Sequence, residues 1–437
     1  MLQFLVVVYT LPLVLLALMR PRVGLVLWVL ALATAPDGWL SGATGSLEAT
    51  AGLLKLYGLL VLAGALWRYG PRRDVGNPSL AFLVMFCVGL IHGLHPGLSL
   101  EASARSLVGS AAPFLFGFVR QDEGFSRAAC RAVMIAPLCA VGVAAMLALA
   151  GLDRFYTLEL GALRLGGDGQ PPFLAGAALV GLYAGVLELA ARPRRAVALL
   201  AGINFTIILL TGARSPLALG GLTLAALLAQ RGCLRALALA GALLALLALC
   251  FSQLEFLRVV DMTRLGLADN LSNRTLVWPY FWNAITQSPW VGWGVGAGKI
   301  IIPLSAPLAR LIGTNAAHDE YLRIGTEGGV LGLGLLLGLM LLWVARGTAL
   351  LPARQAWLMR LIFIAFAVQS LTDNTLIAGT ASAFFLCVSA IFANAQNGST
   401  GAACSLAAPP SPCPPPCPSP SPGLLRPWRQ RPPSPSS

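Results

Sequence analysis

The sequence predicts an all-α, polytopic transmembrane protein with about 12 spans and one long extracytoplasmic loop, on three observations. First, 57% of its 437 residues are hydrophobic and 11% charged, with a mean hydropathy of +0.77; soluble domains are roughly 45–50% apolar and about 25% charged. Second, the apolar residues recur in many blocks, and roughly 20 residues make one bilayer-spanning helix. Third, the basic residues that give a net charge of +13 sit mostly in short turns between blocks. That placement explains them as orientation signals better than as a nucleic-acid surface. A soluble enzyme on a single tether is excluded.

The candidate spans cover about 2–19, 23–35, 50–67, 78–94, 105–120, 130–150, 173–191, 196–211, 214–229, 234–251, 328–345, 357–371 and 376–394. They number 12 or 13, depending on the short ones. Residues 2–19 resemble a signal-peptide core but have neither a basic leader nor an A-x-A site, so they read as a retained first helix. Arginines mark alternate connections, at Arg20 and Arg22, Arg68 to Arg73, Arg120 and Arg127, Arg192 to Arg195, Arg231 and Arg235, and Arg346 and Arg354. The excess of basic residues on the inner side puts these turns in the cytoplasm.

The other connections then face outward, including the segment 252–327 with Trp278, Trp282, Trp290 and Trp293. The chain therefore divides into spans over 1–251, a periplasmic loop with interfacial helices over 252–327, further spans over 328–396 and a Pro/Ser-rich cytoplasmic tail over 397–437, which is expected to be disordered. Within the loop, 274–287 reads as an amphipathic helix with a proline in its first turns. The glycine-spaced stretch 289–298 lacks the spacing and strand context of a phosphate cradle and reads as a mobile flap. None of the nine cysteines lies in the long loop, so no disulfide framework is indicated.

Polar groups at membrane depth are costly unless paired or used, so those on the outward side are the candidates for chemistry. Arg214 stands in TGARSPL, Arg274 at the start of the aromatic helix, Arg164 in RLGGDGQPPFLAG, and His318 opens HDEYLRIGTEGGVLGLG. Each has a plainer reading: Arg214 as a snorkelling anchor, Arg274 paired with Asp269, Arg164 paired with Asp168, and His318 as a helix cap. Arg105 lies at the outward start of its span. His92 and His95 read as interfacial packing, and Lys55, which with Lys299 makes up all the lysine in the chain, reads as snorkelling or paired. The scattered histidines and the lack of an Asp-x-Asp pair argue against a metal, and no cofactor is indicated.

TGARSPL, NRTLVWPYFWNAITQSPWVGWGVG and NAAHDEYLRIGTEGGVLGLGL occur in the order found in the O-antigen ligase and O-antigen polymerase superfamily, which the chain resembles over roughly residues 50–395. The resemblance implies a glycosyltransferase in the bacterial inner membrane that moves a glycan from undecaprenyl pyrophosphate to lipid A core or, in the polymerases, to another lipid-linked repeat. It implies pyrophosphate binding by Arg214, Arg274 and Arg164. The guanidinium fork suits this role, being planar and permanently charged. His318 is the candidate base, because an unperturbed pKa of about 6.5 fits removal of a proton from an attacking hydroxyl. In a helix capped by Thr314 or Asn315, Tyr321 would share its face and support the imidazole. Arg105 is a further candidate for the same cavity. A transporter of an anionic lipid is the rival from another class.

The orientation is tested by labelling single cysteines placed near positions 290 and 420 in a cysteine-free background. Position 290 is expected to react from outside in intact cells and position 420 only after permeabilisation; the reverse pattern overturns the assignment of the outward face.

Overall fold

The computed structural model describes residues 12–34, 47–152, 154–159, 162–166, 171–232, 276–303, 305–307, 309, 315–377 and 379–407. Contacts divide the chain into a unit of residues 1–397 and a unit of residues 398–437. The described residues form helices α1 (12–19), α2 (Pro21–Thr34), α3 (Leu47–Tyr69), α4 (Ser79–His92), α5 (Leu100–Ala111), α6 (Glu123–Leu149), α7 (Pro171–Ala191), α8 (Arg195–Thr211) and α9 (Arg214–Gln230). After them come α10 (Trp278–Gln287), α11 (Glu320–Ala349), α12 (Ala353–Gln369) and α13 (Gly379–Ala407). A two-stranded antiparallel hairpin, β1 (Tyr156–Glu159) and β2 (Ala162–Leu165), joins α6 to α7.

The described residues are all-α apart from this hairpin, and they do not by themselves account for the 12 expected spans. Among the described residues, four helices are long and apolar enough to cross a membrane: Glu123–Leu149, Pro171–Ala191, Glu320–Ala349 and Gly379–Asn397. Pro21–Thr34, Ser79–His92 and Arg195–Thr211 are apolar but shorter, and the expected span at 234–251 lies outside the described residues. The block at 105–120 is not one helix. α5 stops at Ala111 and Pro113 opens a 3-10 turn over Ala112–Phe118, because proline offers no N–H to continue the ladder. At the other end of the chain, α13 continues past 396 to Ala407.

α7 is the central post, with 72% of its spanning window buried against 33% for α11. Its small residues make that possible. A Cβ on Gly181 would lie 2.8 Å from Asn204 Oδ1 of α8, and small residues at helix interfaces allow backbones this close. Asn204 in turn donates to the Met134 carbonyl of α6 at 2.9 Å. Around α7, an aromatic core is built from Phe82, Phe114, Trp343, Phe384 and Phe385, with Phe114 and Phe385 ring centres 4.2 Å apart.

The arginine-rich turns gather at one end. Arg22 pairs with Asp122 and donates to the Tyr69 hydroxyl at 3.0 Å, Arg120 N–H reaches the Gly70 carbonyl at 3.0 Å, and Arg346 donates to the Val75 carbonyl at 3.0 Å. Asp74 accepts from Trp343 Nε1 at 2.9 Å and from Asn77 at 2.7 Å. Burial raises the Asp74 carboxyl above the usual carboxylate range, against the pull of these donors and of Arg72. Since α8 and α12 leave this end and α9 and α11 return to it, Thr211, Arg214, His318 and the 370–377 loop all lie at the other.

At that opposite end the stretch 289–298 is a wedge rather than a flap. Gly329 sits at φ 60, ψ −165 inside α11 and breaks its ladder. The two helical bonds that Val330 and Leu331 would make to Thr326 and Glu327 are replaced by four others. Val330 and Leu331 donate to the carbonyls of Pro289 and Trp290 at 2.8 and 3.1 Å, and Trp293 and Gly294 donate to the carbonyls of Thr326 and Glu327, each at 2.9 Å. Every group released by the break finds a partner in the wedge, as backbone at membrane depth requires.

Contact this close leaves no room for side chains on the seam. A Cβ on Gly329 would lie 2.4 Å from the Trp290 carbonyl, and one on Gly292 2.5 Å from the Glu327 carbonyl carbon. Gly329→Ala is therefore expected to cost at least about 1–3 kcal/mol, seen as a lowered thermal midpoint of the solubilised protein. Gly338→Ala, on the same helix with nothing within 4 Å, is expected to be neutral or stabilising by up to about 1 kcal/mol.

Candidate active site

Two groups of residues assemble at the wedge end. The first joins the hairpin to the α8–α9 turn. α8 ends on Gly212 in the left-handed conformation at φ 62, a geometry glycine adopts without strain, and Arg214 begins α9 one residue beyond Ala213. Arg164, paired with Thr157 across the hairpin, is buried to 6% exposure and donates from Nε to the Thr211 carbonyl at 2.8 Å. Its side chain lies against Gly212, where an added Cβ would be 3.7 Å from Arg164 Nε. Two arginines 50 positions apart thus converge on one turn. The Thr211 carbonyl is one partner of Arg164, while Asp168, the partner considered from the sequence, lies outside the described residues, as do Arg274 and Asp269.

The second group is built on the start of α11. The helix begins at Glu320 rather than near Thr314, and Asp319 is its cap, accepting from Leu322 N–H at 3.0 Å. Burial raises the Asp319 carboxyl above its ordinary range, while the backbone N–H groups of Leu322 and Tyr321 pull it down. His318 stands just outside the helix at φ 48, one of the few side chains found with some frequency in that region. The imidazole, 24% exposed, has its Nδ1 3.9 Å from Asp373 Oδ1 in the loop between α12 and α13. Tyr321 does not take the supporting role expected of it: its hydroxyl donates to the Ala367 carbonyl at 2.9 Å, fastening α11 to α12.

Behind His318 lies an ionic network that sequence reasoning missed. Arg323 is held by Glu320 Oε2 at 2.5 Å and by both oxygens of Glu327 at 3.1 Å, all three side chains being at most 4% exposed. Glu320 Oε1 also accepts from Leu376 N–H at 2.7 Å, and Glu320 N–H donates to the Ser370 carbonyl at 2.9 Å. One residue therefore pins both ends of the loop that carries Asp373 against the helix that carries His318. The available signal was the spacing of 320, 323 and 327, which puts three charges on one helical face.

The remaining candidates are placed apart from these groups. Arg105 pairs with Glu101 one turn away on α5 at 2.6 Å, both side chains largely exposed. His95 stacks edge-on against Trp293 with ring centres 5.3 Å apart and donates its backbone N–H to the Trp293 carbonyl, consistent with packing. Among the described residues, no group of three or more His, Cys, Asp or Glu side chains is placed to hold a metal ion.

Residues 196–337 match the family model described as O-antigen ligase. The match supports the O-antigen ligase and polymerase superfamily that the motifs resemble. The matched segment includes Arg214, Arg274 and His318 but not Arg164, Arg105 or Asp373. No curated protein matches the chain. The match and the spanning helices together support a multi-pass membrane protein that acts as an enzyme.

Removing Arg323 alone would leave Glu320 and Glu327 buried without their cation. Arg323→Ala is expected to cost about 3–5 kcal/mol, measured as a drop in thermal midpoint. The triple replacement of Arg323, Glu320 and Glu327 by Met, Gln and Gln should recover much of that loss in stability. A double-mutant cycle between Arg323 and Glu320 measures the coupling directly.

Proposed function

We propose that the protein is an O-antigen ligase, an inverting, metal-independent glycosyltransferase that moves a glycan from undecaprenyl pyrophosphate to lipid A core at the periplasmic face of the bacterial inner membrane. The observation that carries this reading is the O-antigen ligase domain over 196–337, whose one histidine stands beside a carboxylate. A polymerase would use the same constellation on a lipid-linked repeat. The preference for the ligase rests on the resemblance of the motifs.

In this reading the donor enters from the bilayer with its pyrophosphate against Arg214, Arg164 and Arg274. As the glycosidic bond to the phosphate breaks, negative charge grows on the leaving pyrophosphate, and fixed guanidinium groups neutralise it without reorganising. Arg214 also opens α9, where the helix dipole adds partial positive charge. The acceptor hydroxyl attacks the anomeric carbon from the opposite face, which inverts the configuration, and gives its proton to His318 Nε2. Asp373, with Oδ1 3.9 Å from Nδ1, stabilises through its charge the imidazolium that forms.

The test is transfer by purified protein given lipid-linked glycan together with lipid A core. Glycan attached to the core is the expected product; longer lipid-linked chains would identify a polymerase, and no covalent product would favour a transporter. At matched protein levels, His318→Ala is expected to lower turnover at least about a hundredfold with donor binding retained. Arg214→Ala should abolish transfer and Arg214→Lys restore it only in part, since an ammonium lacks the fork. Asp373→Asn should lower turnover more than it raises the apparent KM. Near-normal transfer by His318→Ala, or EDTA-sensitive activity restored by a divalent ion, would contradict the mechanism.

A further inference from the structure

Lys55 and Lys299 are the only lysines among 30 basic residues, and the fold brings them to the same short helix. Lys299 Nζ donates to Ser106 Oγ of α5 at 3.2 Å. Three residues on, a Cβ at Gly109 would lie 3.3 Å from Lys55 Nζ. Positions i and i+3 on a helix are about 5–6 Å apart, so α5 sets the two ammonium groups side by side, with a glycine where a side chain would crowd one of them.

Like charges are not gathered in this way for stability. Desolvation holds the Lys299 ammonium below the ordinary lysine range; repulsion from Lys55, Arg323 and Arg105 adds to this and Glu327 opposes it. The neighbouring acids are already engaged. Glu327 gives both oxygens to Arg323, Glu320 binds the same guanidinium, and Glu101 binds Arg105. Among the described residues neither lysine makes a salt bridge, and Arg323 Nη2 is buried with no hydrogen-bond partner. Glu327 is the acid that acts on Lys299, and it is already shared with Arg323, so among the described residues the cluster carries a surplus positive charge.

Lys55 also lines a cavity of about 280 Å³ whose other walls include Trp28, Leu59, Phe116, Phe173 and Ile377. This size falls just below that of small-molecule pockets, and the walls are mostly carbon. A cation pair with a hydroxyl at the edge of an apolar cavity matches a molecule that is anionic at one end and hydrocarbon at the other. We propose that Lys55, Lys299 and Ser106 bind the phosphate of a membrane lipid whose hydrocarbon chain occupies this cavity, as a site additional to the arginines of the hairpin and the α8–α9 turn. Lysine serves as a compact point charge for phosphate.

With only two lysines, reductive ¹³C-methylation of the full-length protein yields two side-chain signals beside that of the N-terminal amine. Titration with dodecyl phosphate in neutral maltoside micelles is expected to move both lysine signals together to saturation, at concentrations at least tenfold below those at which inorganic phosphate moves them. Lys55→Met should abolish the saturable response of Lys299, and Arg214→Ala should leave the response of both lysines intact. Absence of a shift in the unsubstituted protein, or its persistence on Lys299 in Lys55→Met, would overturn the site. Equal response to inorganic and dodecyl phosphate would overturn its assignment to a lipid, and loss of the response in Arg214→Ala would overturn its independence from the arginines.

Discussion

The break of α11 at Gly329 and its repair by the 289–294 backbone hold the His318 end of this molecule together. A helix interrupted in a membrane protein leaves N–H and C=O groups that lipid cannot satisfy. Here the four groups are taken up pairwise by the wedge, so neither partner keeps its hydrogen bonds without the other. The wedge then ties down its surroundings. The Trp293 carbonyl receives His95 N–H, Trp293 Nε1 donates to the Ala284 carbonyl of α10, and the Val295 carbonyl accepts from Ser103 on α5. α5, α10 and the loop after α4 are thereby referred to one fixed point on α11.

The charged groups depend on that point. Arg323 and Glu327 lie within two turns before Gly329, and Gly298 of the wedge faces them so closely that a Cβ there would stand 2.7 Å from Arg323 Cγ. Desolvated charges are tolerable only when paired and hydrogen-bonded. The Glu320, Arg323 and Glu327 network meets that condition, and Glu320 extends it to the loop bearing Asp373. The histidine is thus placed by a chain of backbone and ionic contacts that starts at the wedge and ends at the Asp319 cap, the residue next to His318.

Much of this architecture was legible in the sequence, and what escaped has identifiable causes. Composition and block length sufficed for a multi-pass helical protein, and the basic turns identified which ends belong together. Arg164 and Arg214 stood out because outward arginines at helix ends are rare, and they do meet at one turn. The 105–120 block misled because hydropathy averages over Pro113, whose effect is on the ladder and not on polarity. The wedge was read as a flap because its glycines carry no apolar pattern, yet their bareness is what permits the close approach to α11. Asp373 and Glu320 were passed over because their roles arise from pairings 55 and 56 residues away, a separation that no local periodicity reports.

Hydrogen exchange in the detergent-solubilised protein tests this account most directly. If the wedge and α11 form one hydrogen-bonded unit, the amides of Trp293 and Gly294 should exchange as slowly as those of Val330 and Leu331. Both sets should lose protection together in Gly329→Ala. Exchange of the Trp293 and Gly294 amides within seconds, while 330–331 stays protected, would show a detached loop and contradict the central claim.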